Sequence, residues 1–161
     1  MKQPAIGVGA IVWRGDAVLL IRRGKAPRKG EWSIPGGHVH WGETLVDAVT
    51  REVREETGIA ITGIQHCETL EARFPATGRL RHHIVLVDFT ARHVRGRVRA
   101  GDDAMDARYV PYAEISGFGL WGETLRVIRK SRRQMMRRRR ADNQQRAPSL
   151  RTKKQTGKTG K

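Results

Sequence analysis

One cysteine, Cys67, stands in 161 residues. A lone thiol excludes an internal disulfide and fits a reducing compartment, so the expected location is cytoplasmic. No apolar run approaches the roughly 20 residues that span a bilayer, and no membrane partner is expected. Ala5 to Trp13 is apolar and follows Lys2, as in a secretory leader. It lacks a small-residue cleavage site, however, and runs into the turn signal Arg14-Gly15-Asp16, so it reads as a buried strand. The C-terminal stretch is nearly free of acids. Residues 126–161 hold 15 Lys and Arg against one acid, Asp142, a charge of +14, whereas residues 1–125 come to +2. The chain thus reads as a domain, residues 1–130, nearly neutral up to residue 125, followed by a basic segment, 131–161. Beyond Met136 that segment has too few apolar residues to bury, and disorder is expected from Ala141. Its charge suits non-specific contact with nucleic acid.

The neutral part has the patterning of a folded α/β domain. Ala5–Arg14 and Ala17–Arg23 read as strands joined by a short turn at Gly15-Asp16. Gly24 to Gly30, GKAPRKG, is a basic loop, either a solvated connection or an electropositive rim for an anionic substrate. Ala60–Leu70 and Arg81–Ala91 are strand-like, and Ile84-Val85-Leu86-Val87 is apolar enough to sit centrally in a sheet. His82 and His83 would point to opposite faces of a strand, which excludes a metal pair. Arg73 to Arg79, with Pro75, reads as a loop. Gly101 to Asp106 reads as an acidic turn before a short strand, Ala107–Val110, stopped by Pro111. WGETL occurs at Trp41–Leu45 and again at Trp121–Leu125. The second copy lacks an upstream glycine pair and a carboxylate cluster, so it reads as a helix start running toward Arg137–Arg140.

The chemistry concentrates between Gly37 and Ile59, GHVHWGETLVDAVTREVREETGI. Thr44 can cap a helix that Gly58 ends in the left-handed conformation. Leu45, Val49 and Val53 form an apolar stripe. At about 100° per residue, Glu52, Glu55 and Glu56 share a sector that overlaps the flank of this stripe. An amphipathic helix normally sends carboxylates away from its buried side, and three together repel unless cations compensate. All-oxygen donors of this kind suit Mg²⁺ or Mn²⁺ rather than zinc. Arg51 can pair with Glu55 one turn on. A plain solvated Glu/Arg helix is the alternative, but Gly37, Glu43 and Gly58 stand in register with the cluster.

That register, G-x5-E-x7-R-E-U-x-E-E-x-G-U with U apolar, is filled at every specified position, which chance would give at roughly one start in 10⁹. It is the Nudix box, and the chain resembles the Nudix hydrolase family, closely over residues 32–59 and more loosely over about 5–130. WSIPGG resembles the family's usual lead-in. The resemblance implies a Nudix fold, an α/β/α sandwich around a mixed β-sheet, here with a basic C-terminal extension. It implies divalent-metal-dependent hydrolysis of a nucleoside diphosphate linked to another moiety. Glu52, Glu55, Glu56 and the Gly36 carbonyl would be metal ligands, Arg51 would join the carboxylates in catalysis, and Glu43 would support the loop or an outer metal. Arg22, Arg23, Trp32 and Gly37 are the expected substrate contacts. An additional carboxylate, as ligand or base, would come from Asp102, Asp103 or Asp106, since no Glu lies between Glu71 and Glu114. His40 stands where relatives often carry an acid; His38 and His40 are either solvent-exposed imidazoles or contacts for phosphate or metal.

Pro75 lies sixteen residues past the box, as a proline does in the family's ADP-ribose pyrophosphatases, so ADP-ribose or a nucleotide-sugar is the favoured substrate. Thr77 occupies the place of the tyrosine expected of dinucleoside polyphosphate hydrolases, and the coenzyme A signature is not evident. The alternatives are a nucleoside triphosphate pyrophosphohydrolase that sanitises the nucleotide pool, and a module that binds nucleotides or RNA without turnover. An intact carboxylate set favours an enzyme. The resemblance is also compatible with a homodimer.

Overall fold

The structure is a computed structural model that describes residues 3–26, 28–76, 79–101 and 103–146. Asp102, Thr77 and the basic segment from residue 147 on lie outside the described residues. By internal contacts the chain divides after Ser131.

Within residues 1–131, β1 (Ala5–Arg14) and β2 (Ala17–Arg23) form the expected hairpin about Gly15-Asp16. Two short strands follow, β3 (Trp32–Ser33) and β4 (Gly36–His38), then α1 (Leu45–Thr57). The long hairpin β5 (Ala60–Ala76) and β6 (Arg79–Arg95) precedes β7 (Ala104–Pro111), a 3₁₀ segment Tyr112–Phe118, and α2 (Gly122–Arg146). The strands make one sheet in the order β3-β2-β1-β6-β5, with β4 on β1 and β7 on β2. β1 and β6 are parallel and the other pairs antiparallel, so the sheet is mixed.

Strand alternation divides the core between two faces. Val8, Ala10, Val12, Leu19, Phe89 and Ala91 pack with Ala48, Val49 and Val53 of α1. The opposite face meets the first turns of α2. There Trp13 Nε1 donates to Ser131 Oγ at 2.8 Å, Thr90 Oγ1 donates to the same hydroxyl at 2.7 Å, and Val127 and Ile128 are buried. A mixed sheet thus lies between two helices, the sandwich expected.

Several local expectations need correction. Of the expected loop Arg73–Arg79, the described residues are strand: β5 runs to Ala76, β6 starts at Arg79, and Pro75 pairs with Leu80 next to a register shift at Phe74/Pro75. Proline lacks an N–H, and such an irregularity is where a sheet accommodates it. β7 starts at Ala104, so Asp106 lies in a strand opposite Arg22 rather than in a turn. Leu45 is exposed, and Ala48 takes its place in the buried stripe, because the stripe begins a turn further into the helix. α2 continues through Arg146 instead of ending before Ala141, since Arg, Gln and Ala are adequate helix formers without burial.

Candidate active site

α1 is placed by its ends. Thr44 Oγ1 accepts from the Asp47 N–H at 3.1 Å, and Gly58, at φ 72°, returns its N–H to the Arg54 carbonyl at 2.9 Å. Between these caps, burying Val49 and Val53 fixes the helix rotation and turns Glu52, Glu55 and Glu56 toward β4 and the loop after it. The two glycines of β4 are steric requirements. A Cβ at Gly36 would overlap the Val8 carbonyl, and one at Gly37 would overlap the Glu52 carboxylate. The strand therefore lies directly against the helix carboxylates.

Arg51 organises the cluster. Its Nε and Nη2 donate to the two oxygens of Glu43 at 2.8 and 2.9 Å, a bidentate pair. Nη1 donates to Glu52 at 2.9 Å and Glu55 at 3.0 Å, and Nη2 also donates to the His38 carbonyl at 3.0 Å. One guanidinium thus ties the glycine loop to two helix carboxylates. The Arg51 hydrogen bonds, helped by the His40 N–H, hold the Glu43 carboxyl down at about 2, and Glu43 in turn raises the pKa of Arg51. Glu43 is tied to Arg51 and the His40 N–H and is not among the residues lining the cavity.

Glu56 is different. It is 6% exposed, and its Oε2 accepts the Gly36 N–H at 2.8 Å. Burial pushes its pKa up to about 8; Glu52 and Asp103 add repulsion, against the pull of the Gly36 N–H and Arg23. Such a site is short of positive charge, and its donors are oxygens, so a divalent cation fits it. Among the described residues no three His, Cys, Asp or Glu side chains converge enough to enclose an ion by themselves. Mg²⁺ does not need such a cage, since it commonly keeps waters and substrate phosphates as ligands.

These groups open on a cavity of about 680 Å³. Glu52, Glu55, Glu56, Arg51, Gly36 and Gly37 line it, as do Arg23, Trp32 and Asp103. The basic loop contributes Lys25 and Arg28 to the lining. His38 and His40 also line the cavity while remaining exposed. Two expected contacts are elsewhere: Arg22 Nε donates to the Gly30 carbonyl at 2.9 Å, and Asp106 pairs with Arg108. Asp103 pairs with Lys25 at the rim.

Of the lining residues that were not anticipated, three matter most to the chemistry. Trp121 and Thr124 come from the second WGETL copy, which brings chemistry to the cavity although it carries no box; Trp41, its counterpart, is fully exposed. Asp88 is the third. It sits in β6 beside Gly9 of β1, is 4% exposed, and has a pKa pushed up to about 7 by burial and by Glu68, against Arg126. A single acid inside the apolar run Ile84–Ala91 was the signal that could have found it. Aromatic rings finish the walls. Phe74 and Trp121 lie 5.8 Å apart, the Arg28 guanidinium is 5.4 Å from the Trp121 ring, and Trp32 meets Phe118 edge-on at 5.2 Å.

Fold and site together define an α/β/α domain whose carboxylate helix faces a glycine loop, the arrangement hydrolases of phosphoanhydrides use. The chain belongs to the NUDIX family: the NUDIX domain model matches residues 3–137. It is 36% identical over 107 residues to the ADP-ribose pyrophosphatase of Methanocaldococcus jannaschii, covering 66% of this chain and 61% of that one. It is similar over 105 residues, at 33% identity, to the human 8-oxo-dGDP phosphatase NUDT18, covering 62% of this chain and 30% of that protein. The chain thus spans less than two thirds of the length of these relatives. Among solved structures, a MutT NUDIX hydrolase from Burkholderia pseudomallei superposes with a TM-score of 0.71 at 29% identity, covering 80% of this chain and 98% of that one. The NUDIX domain of Shewanella oneidensis NrtR, solved with ADP ribose, has the same fold: TM-score 0.72, 23% identity, 84% and 90% covered.

Proposed function

We propose that this protein hydrolyses the pyrophosphate bond of a nucleoside diphosphate joined to a second moiety, with ADP-ribose or a nucleotide-sugar as substrate. The observation that carries this reading is the Arg51-organised set of Glu52, Glu55 and Glu56 on a cavity rimmed by Arg23, Lys25 and Arg28. A relative of 36% identity named for ADP-ribose supports the choice of substrate.

Glu52, Glu55, Glu56 and the Gly36 carbonyl would hold Mg²⁺ or Mn²⁺. When bound, the ion neutralises pyrophosphate charge and lowers the pKa of a coordinated water. The chain's own groups do the rest. Arg23, Lys25 and Arg28 draw the pyrophosphate into the cavity. Arg51 fixes the rotamers of Glu52 and Glu55, so that little reorganisation is needed as charge develops. Glu55 or Asp103 takes the proton of the water that attacks phosphorus while the bridging P–O bond breaks, releasing two monophosphates. Trp32 and Trp121 offer faces on which a base can stack. The basic segment adds non-specific contact with nucleic acid.

The test is a hydrolysis screen of ADP-ribose, nucleotide-sugars, dinucleotides and nucleoside triphosphates with Mg²⁺. Release of AMP and ribose 5-phosphate from ADP-ribose is expected to exceed release from triphosphates. A chain that cleaves none of these faster than its Glu56→Gln variant is not this enzyme.

A further inference from the structure

Asp88 has no role in the chemistry above, yet it faces the same cavity. Unlike the other acids there it lies in the middle of a strand, flanked on β6 by Leu86 and Thr90 and across β1 by Gly9. It is 4% exposed, its carboxyl opens on the cavity, and among the described residues no hydrogen bond or ion pair to that carboxyl is seen. An unpaired buried carboxyl is costly, and a sheet that only needed packing would carry Val or Leu at this position. The neighbouring strand also makes room for it: a Cβ at Gly9 would overlap Asp88 Oδ1.

The surroundings indicate which donor it awaits. Leu70, Phe74, Ile84, Leu86 and Trp121 line the cavity with it, and they offer apolar faces rather than partners for hydroxyls. A phosphate would be repelled there, and cationic rim residues serve it elsewhere. A flat ring with an N–H edge matches both features, since its faces take the apolar contacts and its edge takes the acceptor.

We propose that Asp88 is a specificity-determining residue that accepts a hydrogen bond from the amino edge of the substrate's adenine base, seated between the apolar walls of the cavity. This rests on the nucleotide reading of the site. Discrimination arises because a base lacking the amino group leaves the buried carboxyl without a partner.

The experiment reads binding, not turnover, so that it stands apart from the hydrolysis screen. AMP, its 6-deamino analogue (purine riboside 5′-monophosphate) and 2′,3′-dideoxy-AMP are titrated calorimetrically into the full chain and into Asp88→Leu and Asp88→Asn. The wild-type chain is expected to bind AMP about tenfold or more tighter than the deamino analogue and equally to the dideoxy analogue. Asp88→Leu should weaken AMP to the level of the deamino analogue, with a melting temperature no lower than wild type. Asp88→Asn, which keeps an acceptor and the shape, should retain part of the preference and guards against a packing artefact. Equal binding of AMP and its deamino analogue, a loss confined to the dideoxy analogue, unchanged AMP affinity in Asp88→Leu, or no AMP binding by the wild-type chain would each overturn the assignment. A chain that hydrolyses nucleotides but fails here refutes only the role of Asp88. One that selects AMP here but hydrolyses nothing refutes only the enzyme reading.

Discussion

At the scale of single residues, the site separates groups that hold geometry from groups that carry charge to the cavity. Arg51 and Glu43 are of the first kind, and their hydrogen bonds end on the protein itself. Glu56 is of the second kind, since it lines the cavity and, among the described residues, accepts the Gly36 N–H. Glu56→Gln keeps the shape and that hydrogen bond while removing the charge. Turnover should fall by about a hundredfold or more, with an unchanged or higher melting temperature at pH 7. Near-wild-type turnover in saturating Mg²⁺ would remove Glu56 from the machinery. Asp88 yields a pH prediction whose sign is opposite to that of a paired carboxylate. Its folded pKa, about 7, lies above the ordinary 3.8, so the folded state holds the proton more tightly. The stability linked to Asp88 is therefore complete below about pH 4 and is lost as pH rises through 7. Asp88→Asn should accordingly raise the melting temperature more at pH 8 than at pH 5. A difference that is constant across those pH values would show that Asp88 is not shifted.

At the scale of elements, legibility in the sequence tracked how local the determinant was. The ends of α1 were readable because a capping threonine and a left-handed glycine act within one turn. The partners of Arg51 were half readable. Glu55 lies one helical turn away, whereas Glu43 and the His38 carbonyl come from a loop whose path no periodicity describes. Asp88 was hidden because its meaning depends on the parallel pairing of β1 with β6, whose residues lie about eighty positions apart. Register also decides among the acids after β6. β7 holds Asp106 against Arg108, whereas Asp103 stays on the cavity, near enough to raise the Glu56 pKa. Of this pair, Asp103→Asn should lower kcat about tenfold or more with a smaller change in KM, and Asp106→Asn should leave both within about twofold. Equal effects in the two variants would place the proton acceptor within α1.

At the scale of the whole molecule, the two unlike parts of the chain invite one experiment that separates them. The charge of +14 on residues 126–161 is set against +2 on the remainder, so attraction to polyanions should belong to the C-terminal part. Deleting residues 141–161 removes Arg146, Arg151, Lys153, Lys154, Lys158 and Lys161 but leaves Arg137 to Arg140. The residues it takes from α2 include Ala141 to Gln144, all exposed, so the melting temperature and the kcat on a small nucleotide should hardly move. Affinity for a mixed-sequence RNA or DNA oligonucleotide should be steep in salt for the full chain. Each neutralised phosphate contributes about −0.9 to the slope of log K against log salt on duplex DNA, and the truncated chain should lose several such contacts. Because the four arginines remain, affinity should be reduced rather than abolished, and it should stay indifferent to sequence. A segment that only aids solubility would behave otherwise: truncation would leave both the affinity and the salt slope as they were. Measuring both at two salt concentrations, with and without residues 141–161, decides between these outcomes.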